Sequence, residues 1–205
     1  MTGLAIAALL FAAAPDFRAD FPTAEIALSR DGKSIERASK FSAPGLGRTC
    51  AQAALAFLER YGASFGLASE SWRAKPDAAP ARVSFERAID GLPVFERTVI
   101  VGCDDEATVV LMTAPAVPPR AGVGFVVGRA SATIAAKHAV GDHGGARFRH
   151  TSAKGWYVGD GEILPAWQIE LSGSDGMAAW RVYVDAARGT VLSKTSLGST
   201  ASAPM

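Results

Sequence analysis

The chain has 205 residues, 49% of them hydrophobic and 20% charged, a globular composition rather than a disordered one. Its 21 basic and 20 acidic residues nearly cancel, and no run of Lys or Arg offers a track for a phosphate backbone, so no nucleic-acid partner is expected. The length suffices for one large domain or for two small ones with genuine cores.

Residues 4–14 form an apolar run too short to span a bilayer, ending in the small residues Ala12, Ala13 and Ala14. This pattern predicts an export signal, atypical in having no Lys or Arg before Leu4, with residues 1–22 as signal and lead. A secreted or periplasmic protein is therefore expected; the competing reading is an apolar N-terminal strand or helix of a cytosolic one. No other stretch is long and apolar enough for stable membrane insertion. Cys50 and Cys103 are the only cysteines. In an exported chain an even pair points to one disulfide, with two buried thiols as the alternative.

Residues 23–41 read as a hairpin, in which Ile26 and Leu28 alternate with smaller or polar neighbours, Asp31-Gly32 signals the turn and Ile35 follows. The stretch SAPGLG at 42–47 then breaks regular structure. Thr49 is placed to cap a helix running to about Gly62, with Ala51, Ala54, Leu55, Leu58 and Phe65 at three-and-four spacing on its apolar face. After a polar stretch at 74–80, Val83, Phe85 and Ile89 mark a strand, Asp90-Gly91 a turn, and residues 92–101 a second strand. A third strand at 107–112 follows the acidic turn Asp104-Asp105-Glu106.

Pro115, Pro118 and Pro119 interrupt residues 113–128, which read as a linker between domains. Ser131 is expected to cap a short helix to about Val140, with Ile134, Ala135 and His138 on similar faces. Strands are expected around Phe148 and over 156–158, 164–171, 178–186 and 190–194, before a flexible tail at 197–205. The expected fold class is α+β: two small domains, 23–112 and 129–196, each a helix packed on an antiparallel sheet.

Two segments are more specific. RVSFERAIDGLPVFERTVIV (82–101), preceded by ALAFLERYGASFGL (54–67), resembles the propeptide domain of fungalysin- and thermolysin-type metalloproteases. PAWQIELSGSDGMAAWRVYVDAARGTVL (165–192) resembles the PepSY domain that usually follows in the same propeptides. The resemblance spans about residues 24–196, in the family's domain order. Each motif also has a physical reading. Gly91 supplies backbone freedom and Pro93 fixes the backbone after it, Asp185 is placed to accept backbone N–H bonds that set a turn to Gly189, and Trp167, Trp180 and Tyr183 offer core. The chain departs from the family at Glu86 and Arg87, where Gln is common, and at Glu96, where Gly is common; these changes bear on which protease the surface recognises.

A zincin would need two His one helical turn apart with a neighbouring Glu, whereas His138 and His143 are five positions apart across a glycine-containing turn. A metal site built from Asp142 with His138, His143 or His150 lacks ligand-like spacing. Neither a strand-to-helix nucleophile elbow nor a phosphate-cradling glycine loop is expected. The expectation is a non-enzyme without cofactor or metal. The resemblance implies a protein that binds, inhibits or assists the folding of a secreted thermolysin/fungalysin-type zinc metalloprotease. The contacts it implies are Asp90, Gly91, Leu92, Pro93 and Val94, with residues 193–205. Alternatives are a cell-envelope binding module unrelated to protease control and the remnant of a truncated zymogen.

Overall fold

The computed structural model describes residues 16–67, 72–74, 81–118, 120–142, 148–159, 161–173 and 178–198. The expected signal at 4–14, most of the polar stretch at 74–80, Pro119, His143 and residues 199–205 lie outside the described residues.

A one-turn helix, α1 (Phe17–Asp20), opens the described chain, with the Asp16 carboxylate accepting the Arg18 N–H at 3.0 Å. Its Phe17 is fully buried and stands at the centre of an aromatic cluster, 4.9 to 6.1 Å between centroids from Phe21, Phe41, Phe57, Tyr61 and Phe65. The sequence reading placed this segment in the lead and missed it. Strands β1 (Glu25–Leu28) and β2 (Ile35–Ser39) form the expected hairpin, with Asp31 accepting from Ser29 Oγ at 2.7 Å and from the Lys33 N–H at 3.1 Å. Those bonds hold the Asp31 carboxyl below the usual carboxylate range.

Helix α2 (Cys50–Tyr61) is capped by Thr49, whose Oγ1 accepts the Gln52 N–H at 3.3 Å, and runs into a single 3-10 turn, Gly62–Phe65. Its buried face is Cys50, Ala53, Ala54, Phe57, Leu58 and Tyr61, whereas Ala51 and Leu55 are exposed. The expected face is rotated because Phe57 and Tyr61 carry more apolar area than Leu55 and take the inward positions. The Tyr61 hydroxyl donates to Asp20 at 2.6 Å, and burial together with that bond pushes its pKa up to about 12.

Then come β3 (Trp72–Ala74), β4 (Arg82–Ile89), β5 (Leu92–Cys103) and β6 (Val109–Thr113). Helix α3 (Arg129–Ala139) precedes β7 (Phe148–Gly159), β8 (Glu162–Gly173), β9 (Ala179–Asp185) and β10 (Val191–Gly198). Gly128, not Ser131, is the N-cap of α3, and Ala132, Thr133 and Ala136 face inward while Ile134 and His138 are exposed. Small side chains face the sheet because the helix lies directly on β8 and β9. β10 runs to Gly198, two residues into the stretch expected as tail.

The strand order is β1-β2-β6-β5-β7-β8-β9-β10, with β4 also on β5 and β3 on β4. Paired strands are antiparallel except β5 with β7. The class is α+β. One core lies under α2, around Phe85, Val99, Val101 and Met112; another lies under α3, around Ile169, Leu171, Val182 and Val184. Cys50 and Cys103 are disulfide-bonded with Cα atoms 5.7 Å apart, fastening the first turn of α2 to the end of β5.

The described residues of the connection at 114–128 are tied down at several points. The Ala114 N–H donates to the Glu36 carbonyl, Arg120 bridges to Ile163, and the Val126 and Val127 N–H groups donate to the Ala186 carbonyl. Trp167 Nε1–H donates to the Val127 carbonyl at 2.8 Å. Its backbone groups thus find partners on both sides, as a segment lying against folded surface requires.

Candidate functional site

The site begins with a change of direction in β5. Glu86 pairs with Thr98 and Ala88 with Pro93, so residues 94–97 of β5 stand opposite Arg87 alone. Such a bulge bends the strand and re-aims its side chains. Within it Glu96 has φ +59°, in the left-handed region that a residue with a Cβ adopts at a cost. Before the bend, Val94 pairs in parallel with Trp156 of β7; after it, residues 100–103 pair with β6. One strand therefore serves both halves of the molecule.

The meeting of β5 with β7 depends on Gly155. A Cβ there would lie 2.6 Å from the Pro93 carbonyl oxygen and 2.5 Å from Cζ of Phe95, so only glycine admits the approach. Trp156 is buried beside Val94 and Ile163 and donates from Nε1 to the Ile89 carbonyl at 3.0 Å. Above it sits the Arg120 guanidinium, 4.2 Å from the ring centroid and paired with Asp90. Arg87 adds a tie on the first half, donating to the Gly66 carbonyl at 2.7 Å and the Pro115 carbonyl at 3.3 Å, while its burial depresses the guanidinium pKa.

This arrangement locates the residues that sequence reasoning assigned to partner contact. Asp90 and Gly91 form the β4–β5 turn with φ of 51° and 74°, the pattern of a type I′ hairpin turn, and both are exposed. Leu92 and Pro93 are half-buried, and Val94 is 2% exposed within the seam between the halves. A partner can reach the tip of this turn but not Val94, which is spent on joining β5 to β7. Residues 193–198 lie on β10, whose far edge has no strand paired to it among the described residues.

On the seam a cavity of about 300 Å³ opens, with Val94, Phe95 and Tyr183 as its apolar wall. Its charged lining is Glu86, Glu96, Arg97 and Arg181, with Thr98 and Gln168 between. Phe95 and Tyr183 have ring centroids 5.3 Å apart, and the Tyr157 ring, tilted at 37°, lies 4.8 Å from that of Tyr183. Arg181 is engaged by Glu170, through Nε at 3.0 Å and a terminal nitrogen at 2.8 Å, which raises its pKa. Burial, and then the charge of Glu96, holds the Tyr183 phenol well above its ordinary pKa. Among the described residues Glu86, Glu96 and Arg97 form no ion pair, and the Nε of Arg97 is buried with no hydrogen-bond partner among them. Sequence reasoning flagged Glu86, Arg87 and Glu96 as departures but did not place Arg97 or Tyr183 beside them; only the bulge does that.

The remaining sequence candidates do not converge. His138 and His150 are exposed on α3 and β7, Asp142 is buried, and among the described residues no three His, Cys, Asp or Glu side chains come together as a metal site. A G-x-S-x-G pattern does occur, at Gly62-Ala63-Ser64-Phe65-Gly66. It forms the 3-10 turn after α2 rather than a strand-to-helix elbow, and Ser64 Oγ accepts the Phe17 N–H at 3.4 Å. Asp185 acts as its turn role requires: its carboxylate accepts the N–H groups of Ala187 at 2.7 Å and Arg188 at 3.1 Å. Among the described residues no helix is long and apolar enough to cross a membrane.

No family model matches the chain, and no curated protein matches it. Among solved structures it is similar to the C-terminal domain of YpeB from Bacillus megaterium, with a TM-score of 0.44 and 10% identity over 88% of this chain and 93% of that one.

Proposed function

We propose that the chain is a non-catalytic, exported binding module of the propeptide kind, directed at a secreted thermolysin/fungalysin-type zinc metalloprotease. The observation that carries this reading is that the two segments of propeptide resemblance fold as hairpins, β4–β5 and β8–β9, on either side of β7 in one continuous strand order. The parallel pairing of Val94 with Trp156 of β7 joins the two hairpins. The edge of β10, unpaired among the described residues, supports it further, because an extended segment of a partner can add there by main-chain hydrogen bonds. The Cys50–Cys103 disulfide supports export, since such bonds persist in oxidising compartments. By binding the native enzyme and not its unfolded chain, the module would both block the cleft and favour folding by mass action.

The test is residual activity of a purified thermolysin-type protease titrated with the chain. Saturable inhibition while the chain stays intact is the expected result. A folded, uncleaved chain that leaves activity unchanged at every concentration sinks the proposal. The seam cavity favours a second reading, a cell-envelope binding module, which predicts binding of a small envelope component and indifference to proteases.

A further inference from the structure

We infer that the seam cavity is a binding site for a zwitterionic ligand of the α-amino-acid type, its carboxylate held by Arg97 and its ammonium by Glu86 and Glu96. The inference does not rest on the protease reading. At about 300 Å³ the cavity is at the small end of ligand sites, and its lining is mostly polar, with one apolar wall of Val94, Phe95 and Tyr183.

The charges decide the ligand's chemistry. Inside the cavity Arg181 is already paired with Glu170. Glu86, Glu96 and Arg97 line the same concavity and, among the described residues, form no ion pair, while Glu96 also acts on Arg181 and Tyr183. Both signs of charge thus face one concavity beside the buried, unpartnered Nε of Arg97, and that combination marks a place for a ligand. A purely anionic ligand on Arg97 would face two carboxylates, and a purely cationic one would face Arg97. A group bearing both charges a few ångströms apart satisfies all three. Because Nε of Arg97 is sealed inside, the terminal nitrogens are the donors a carboxylate can reach, and their fork suits it.

The backbone gives an independent argument. Glu96 occupies a left-handed conformation that glycine would adopt without strain. Strain of this kind persists where it places a working side chain, and the bulge places this one at the cavity. Phe95 and Tyr183 would receive the ligand's side chain.

The experiment is an amide-resolved NMR titration of the ¹⁵N-labelled full chain with L-alanine, L-leucine and the dipeptide alanyl-alanine, with acetate and methylammonium as single-charge controls. Expected are saturable shifts at Glu96, Arg97, Thr98 and Tyr183 with a zwitterion, and at least tenfold weaker effects from either control. Saturation by free amino acids alone assigns a metabolite-like ligand, and saturation by the dipeptide assigns a peptide end. Glu96→Gly should fold at least as well as the parent and bind at least tenfold more weakly; Arg97→Gln should lose binding too. The inference is overturned if no zwitterion saturates, if acetate or methylammonium matches them, or if Glu96→Gly binds like the parent.

Discussion

At the scale of single residues, the cost of Glu96 can be read separately from its use. A residue with a Cβ in the left-handed region is about 1–2 kcal/mol worse than in its ordinary conformations, whereas glycine is not. Glu96 is exposed and, among the described residues, makes no ion pair, so little packing is lost on its removal. Glycine also adds entropy to the unfolded chain, which offsets about half of that gain. Glu96→Gly is therefore expected to stabilise the fold by roughly 0.5–1 kcal/mol, read as a raised urea midpoint with unchanged m-value. A lowered midpoint would mean that the carboxylate supports the fold through the Tyr183 hydroxyl, and would remove the strain argument. This position was legible as a departure: a Glu where the resembled family has Gly. What the sequence could not show was that the same bulge gathers Glu86, Arg97 and Tyr183 about it, because that depends on a four-against-one register that no local pattern specifies. The Asp185 turn and the Asp90-Gly91 turn were legible for the opposite reason, since their hydrogen bonds and dihedrals are settled within a few residues.

Among elements, the contact of β5 with β7 is the junction on which the site depends, and Gly155 is its narrowest point. An added methyl meets a backbone oxygen at 2.6 Å as well as a ring carbon at 2.5 Å; the ring can turn aside, but the oxygen moves only if β5 moves. Gly155→Ala is accordingly expected to cost about 1–3 kcal/mol, the range for overpacking a fitted contact, and to expose the buried indole of Trp156 as the strands part. Gly122→Ala is the control, because a Cβ there meets nothing within 4 Å. Equal unfolding midpoints for the two variants would show that the seam has slack. The helices and most strands were legible from periodicity and capping, with errors where side-chain size decided: α2 turns Phe57 and Tyr61 inward instead of Leu55, and α3 turns in Ala132 and Ala136 instead of Ile134. The parallel pairing of β5 with β7 was not legible, because the strands it joins are separated by β6, the connection after it and α3.

Across the whole molecule, the question is whether the two halves unfold as one. The sequence reading gave two small domains with a linker; the structure has two principal cores, but also a strand, a buried tryptophan and a hydrogen-bonded connection common to both halves. The disulfide offers a perturbation confined to one side, since Cys50 and Cys103 both belong to the core under α2. It closes a loop of 53 residues, so on the chain-entropy model its reduction should cost about 4 kcal/mol. If the seam couples the halves, that loss is felt under α3 as well, and amide exchange in β8 and β9 accelerates along with exchange in α2 when the chain is reduced. If the seam is merely a contact, exchange accelerates in α2 and stays unchanged in β8 and β9, and unfolding splits into two transitions. Coupling is the expected result, because Val94 and Phe95 of β5 cannot leave the cores they share with β7, β8 and β9 without exposing Trp156 and Tyr183, both of them 1% exposed. A ligand held between Glu96 and Arg97 on one half and the Phe95–Tyr183 wall that spans both would tighten the same coupling. Protection in β8 and β9 should then rise with ligand even in the reduced chain.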